Sequence, residues 1–137
     1  MKTKLLLFLS FILFASQWSF AQNRFYQLSS HILDINSGSP APGVKISLYK
    51  LDTKDNTWTQ VDEKVTDENG RIKDFLPDNT DNKGVYKLTY HVGPYFEAKG
   101  QDSFYPFIDV VFQIKDDNHY HVPITLSPYG YSTYRGN

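Results

Sequence analysis

Cysteine is absent from the 137 residues, which excludes disulfides, thiolate nucleophiles and cysteine-bound metal. Also missing are a Gly-x-Ser-x-Gly nucleophile elbow and a glycine-rich phosphate loop. A hydrolytic activity in this chain would therefore use water as nucleophile. Charge of one sign is missing too. The 14 basic and 15 acidic residues leave a net charge of −1, with no basic patch or arginine stripe, so nucleic acid is not an expected partner. Long apolar runs are scarce. The one from Leu5 to Ala15 is short for a membrane span of about 20 residues.

That run has another reading. Lys2 and Lys4 precede it, and Ser19-Phe20-Ala21 follows with small residues at the −3 and −1 positions. This is the pattern of a secretory signal peptide over residues 1–21, with cleavage before Gln22. The expected protein is exported, periplasmic or secreted, and free of the membrane once the signal is removed. Residues 22–137 form one domain of 116 residues (137 less 21), with 12 basic and 15 acidic side chains and a charge of −3. A domain of this size has a modest core. Without disulfides it must be held by that core or by assembly.

Alternation of apolar and polar residues recurs along this domain. Val44, Ile46 and Leu48 form one apolar face; Tyr86, Leu88, Tyr90 and Val92 another; Ile108, Val110, Phe112 and Ile114 a third; Tyr120, Val122, Ile124 and Leu126 a fourth. Phe25 to Leu33 and Trp58 to Val65 read as further strands. Turn chemistry separates them at Asn36-Ser37-Gly38-Ser39-Pro40, Asp67-Glu68-Asn69-Gly70, Pro77 to Gly84, Asp116-Asp117-Asn118 and Ser127-Pro128-Tyr129-Gly130. Pro94 to Gly100 has room for a short helix. The expectation is an all-β domain, an antiparallel β-sandwich of seven to eight strands with one short helix.

Four histidines are present: His31, His91, His119 and His121. Most strand histidines are surface or hydrogen-bonded residues. His121 is distinguished by its strand, whose apolar face is already complete in Tyr120, Val122, Ile124 and Leu126. A period of two puts His119 and His121 together on the other face, and Pro123 beside them suggests an edge or a bulge. Two histidines so spaced can share a metal if His31 supplies a third ligand, although no glutamate motif accompanies them. Acid–base work suits them better, since an imidazole near its ordinary pKa of about 6.5 both takes and gives a proton at neutral pH. Arg71, after the Asp67–Gly70 turn, offers a planar guanidinium for a carbonyl or an oxyanion. The C-terminal stretch Tyr129 to Tyr134 is too aromatic for a free tail.

Three blocks together resemble the transthyretin-related family, and within it the 5-hydroxyisourate hydrolases. They are Leu28-Ser29-Ser30-His31-Ile32-Leu33-Asp34 with Gly38, Pro40-Ala41 and Gly43-Val44; Thr66-Asp67-Glu68-Asn69-Gly70-Arg71; and His119-Tyr120-His121-Val122-Pro123 through Tyr134-Arg135-Gly136. The resemblance implies a transthyretin-like sandwich, a homotetramer and an active site at the interface between dimers. It implies hydrolytic opening of the ring of 5-hydroxyisourate, a step of urate breakdown, with no cofactor and no metal. Residue by residue, His31, Arg71 and His121 take the family's catalytic positions. Tyr134, Arg135, Gly136 and Asn137 fall in its terminal substrate-binding motif, where Asn137 stands in place of the usual serine. A transthyretin-like carrier of a small ligand, or a structural sandwich, remains the alternative. The carriers lack the histidine–arginine–histidine set and the Tyr-Arg-Gly ending.

Overall fold

The computed structural model describes residues 25–137; residues 1–21, the expected signal peptide, lie outside the described residues. Nine strands and one helix follow in order: β1 (Tyr26–Asp34), β2 (Ser39–Pro40), β3 (Lys45–Asp52), β4 (Thr57–Val65), β5 (Arg71–Pro77), β6 (Gly84–Tyr90), α1 (Val92–Glu97), β7 (Ile108–Ile114), β8 (Tyr120–Ser127) and β9 (Gly130–Thr133). They form a sandwich. One sheet has the order β2-β1-β8-β9, with β5 also paired to β1, and the other the order β4-β3-β6-β7.

The four apolar faces expected from alternation meet between the sheets. Ile46, Leu48, Leu88, Tyr90, Ile114 and Ile124 are among the side chains almost wholly removed from water. Each large side chain so buried contributes about 1.5–3 kcal/mol. Polar groups inside are partnered. Ser30 Oγ donates to the Val122 carbonyl at 2.8 Å and lies 2.8 Å from Tyr90 Oη. Thus β6 of one sheet is tied to β1 and β8 of the other.

The structure departs from the sequence reading in four places. Nine strands replace the expected seven to eight, because β2 is a two-residue pairing and β5 and β9 lack a clear alternating pattern. The pair β1–β8 is parallel, while every other pair is antiparallel. The helix starts at Val92 and ends at Glu97, two to three residues earlier than expected at both ends. Pro123 does not mark an edge, since β8 is flanked by β1 and β9.

The proline is tolerated for a local reason. β9 pairs Thr133 with Ile124, and an isolated bridge joins Gly136 to His121 in the same register. That register sets Tyr134 opposite Pro123, which has no N–H to offer. The Pro123 carbonyl instead accepts from Thr133 Oγ1 at 2.9 Å. The ladder lapses at Tyr134 and Arg135 and is regained at Gly136, whose N–H donates to the His121 carbonyl at 2.9 Å.

Candidate active site

Strand β1 organises the site. Its Leu28, Ser30 and Ile32 point into the core, so Ser29 and His31 point outward. On one side His31 lies opposite Arg71 of β5; on the other Ser29 lies opposite His121 of β8. Side chains opposite one another in a ladder share a face. His31, Arg71, His121 and Ser29 therefore stand on one outer face of the five-stranded sheet, with His119 two residues before His121.

The loop before Arg71 is held rigidly. Thr66 is buried; its Oγ1 donates to the Ala41 carbonyl at 2.8 Å and accepts from the Val44 N–H at 2.9 Å. Asp67 Oδ1 accepts from the N–H groups of Asn69 and Arg71, each at 2.9 Å. Gly70 turns the chain at φ +69°, and a Cβ there would meet the Ile32 carbonyl oxygen at 2.6 Å. Its own carbonyl accepts from the Ile32 N–H at 2.9 Å. Only glycine combines that φ with so close an approach, and it puts Arg71 in register with His31.

His121 is half-buried. Its Nδ1 lies 2.7 Å from Ser29 Oγ. The same hydroxyl lies 2.8 Å from His119 Nε2, and His119 Nδ1 lies 2.9 Å from the Tyr26 carbonyl oxygen. Burial, then the Arg71 cation and the neighbouring His31 and His119, hold the His121 pKa below its ordinary value of 6.5. His31 is lowered by burial and then by Arg71, against a smaller upward pull from the Asn69 backbone and Asp67. Both rings are thus neutral at pH 7 and able to accept a proton, beside a cation suited to an anion.

The terminal residues divide. Gly136 packs flat on His121, and a Cβ on it would collide with His121 Cδ2. Tyr134 and Arg135 line a cleft of about 460 Å³ with His121, Tyr120, Val110 and Phe112. The Arg135 guanidinium lies 4.6 Å from the centre of the Tyr120 ring. His31, Arg71 and Asn137 do not line this cleft. One chain thus brings His31, Arg71 and His121 to an open sheet face, with Tyr134 opposite Pro123 at its margin and Arg135 turned onto Tyr120. Among the described residues no group of three or more His, Asp or Glu side chains is placed to hold a metal ion.

Ser29 escaped the sequence reading as a site residue. Its only local signal is its place two residues before His31 on the same face. Its link to His119 and His121 depends on a parallel pairing across some 90 residues of chain, which periodicity does not reveal.

The sequence profile of the HIUase/Transthyretin family matches residues 28–136. A 5-hydroxyisourate hydrolase of Salmonella dublin is 50% identical over 111 residues, 80% of this chain and 80% of that protein. The solved structure of Klebsiella pneumoniae 5-hydroxyisourate hydrolase is similar with a TM-score of 0.70 and 37% identity, covering 80% of this chain and 98% of that one. Sea bream transthyretin, solved in complex with thyroxine, gives a TM-score of 0.75 at 29% identity, covering 80% and 94%. Shape alone does not separate these two neighbours, and the family profile, which covers both kinds, spans all three blocks that carry the histidines, the arginine and the Tyr-Arg-Gly motif. The chain belongs to the HIUase/Transthyretin family.

Proposed function

We propose that this protein is a hydrolase that opens the ring of 5-hydroxyisourate in urate degradation. The observation that carries the reading is the set His31, Arg71 and His121 on one sheet face, with both imidazoles held neutral. The relatives named as 5-hydroxyisourate hydrolases support the substrate. In the mechanism, the histidine pair takes a proton from water as its oxygen attacks a ring carbonyl carbon. The ring C–N bond breaks, and the pair returns the proton to the leaving nitrogen. Arg71 binds the oxygen that gains negative charge, a role worth about 3–4 kcal/mol in hydrolases. Tyr134, Arg135, Gly136 and Asn137 line and orient the substrate. No step calls for a metal or cofactor.

The working form is a homotetramer, exported to the periplasm or secreted after loss of residues 1–21. Assembly is supported by apolar side chains left in water, among them Phe104, Val111, Tyr129 and Tyr134. The unpaired edges of β7 and β9 support it as well. The open face bearing His31 and Arg71 also needs a second wall to become a pocket. The intact mass of protein recovered from an exporting host is expected to begin at Gln22, and a mass including residues 1–21 would contradict export by cleavage.

The rival reading is a carrier of a small ligand, favoured by the fold match to a transthyretin that binds thyroxine. Turnover decides. Purified protein mixed with freshly generated 5-hydroxyisourate is expected to speed the ultraviolet decay well beyond spontaneous opening. Stoichiometric binding without faster decay would favour the carrier.

A further inference from the structure

We propose that Ser29 and His119 are positioning residues for the hydrolysis argued above: they hold His121 as its Nδ1–H tautomer, with the Nε2 lone pair left for water, and they receive positive charge from it during turnover. The inference rests on the hydrolase reading for its role in turnover, but the tautomer follows from hydrogen-bond counting alone.

The Tyr26 carbonyl can only accept, so His119 Nδ1, 2.9 Å away, carries the proton. In the neutral ring His119 Nε2 is then an acceptor. Ser29 Oγ, 2.8 Å away, donates its one proton there. Having spent that proton, Ser29 Oγ accepts from His121 Nδ1 at 2.7 Å. While His119 is neutral, the Tyr26 carbonyl sets the direction of the chain, which ends with Nε2 of His121 unprotonated. A base with the wrong nitrogen protonated is inactive however well it is placed.

The same three groups can move charge. When water gives a proton to His121 Nε2, the ring becomes a cation in a half-buried place, facing Arg71, His31 and His119. The Nδ1 proton can then pass to Ser29 Oγ as the serine proton passes to His119 Nε2. Serine ends with one proton, His121 is neutral with its proton on Nε2, and His119 carries the charge. Both nitrogens of His119 then donate, to Tyr26 O and to Ser29 Oγ. In the single chain His119 is more exposed than His121, so a cation costs less there. Reversal of the two transfers returns the proton for the leaving nitrogen.

Histidine ring nitrogen shifts in labelled full-length domain decide the tautomer, read at a pH where both rings are neutral. His121 is expected as the Nδ1–H form. Ser29→Ala should move it to the Nε2–H form and lower kcat about tenfold or more, with KM within about twofold. Ser29→Thr, which keeps the hydroxyl, should restore both. His119→Gln keeps an acceptor for Ser29 but cannot take charge; it should retain the tautomer and still lower kcat. An Nε2–H tautomer in the parent protein, or Ser29→Ala with parental kcat in an active enzyme, would overturn the proposal. A parent protein without turnover would sink the hydrolase reading and with it the charge transfer, while the nitrogen shifts would still decide the tautomer.

Discussion

Near neutral pH the two site histidines differ from free imidazole in one direction. Burial first, and Arg71 second, make each harder to protonate. The acid limb of kcat/KM is therefore expected to have its midpoint below 6.5, and a midpoint at or above that value would show that Arg71 and burial do not govern the rings. The same shifts bear on folding. The unfolded chain binds protons at these histidines before the native state does, so stability is fully present above 6.5 and declines as the pH falls through that value toward the folded pKa values. Replacing His121 or His31 with asparagine should leave far-ultraviolet circular dichroism unchanged, because both face away from the core. Turnover should fall about 100-fold or more. Parental turnover in His121→Asn would remove the histidine mechanism.

Elements set these residues within reach of one another. The end of β8 and the chain terminus meet at Gly136, where the lack of a Cβ lets the backbone lie against the His121 ring. Gly136→Ala should displace the ring or the terminus and reduce kcat about 10- to 100-fold while the melting temperature changes little. Unchanged kcat would mean that the terminus is free to move aside. At the far end of β1, Asp34 is buried and joins the strand to the helix region. Its carboxylate accepts from Tyr95 Oη at 2.8 Å, Lys99 Nζ at 3.3 Å and the Asn36 N–H at 2.9 Å. Burial pushes its pKa up, but the Tyr95 hydroxyl, the Ser37 N–H and Lys99 outweigh it and the net shift is downward. Asp34→Ala should cost about 2–3 kcal/mol in urea unfolding, with turnover of the folded fraction retained. A loss under about 0.5 kcal/mol would show that water replaces these contacts.

At the scale of the whole molecule, one chain leaves its site open on the side of β5 and β1. Sedimentation at micromolar concentration should give a tetramer, and a monomer would contradict a shared pocket. Deleting Tyr134 to Asn137 should abolish turnover whether or not the tetramer survives. Asn137→Ser, which supplies the family's usual hydroxyl, should keep or raise it. A truncated protein that turns over normally would show the terminal motif to be packing and not part of the site.

Much of this was legible in the chain. Period-two alternation in β3, β6, β7 and β8 marked the core faces, because a strand buried on one face must repeat every two residues. The same argument put His119 and His121 outside the core, and the Asp67–Gly70 turn was legible just before Arg71, although the strand that Arg71 opens was not. Spacing alone did not reveal which histidine meets which partner. The parallel pairing of β1 with β8, and the pairing of β1 with β5, join residues far apart in sequence, and such registers are chosen by the packing of whole faces rather than by any local signal. Tertiary structure alone therefore decided that Ser29 bridges His119 and His121, that His31 lies opposite Arg71, and that Pro123 sits inside a sheet, at the point opposite Tyr134 where the ladder to the chain terminus lapses.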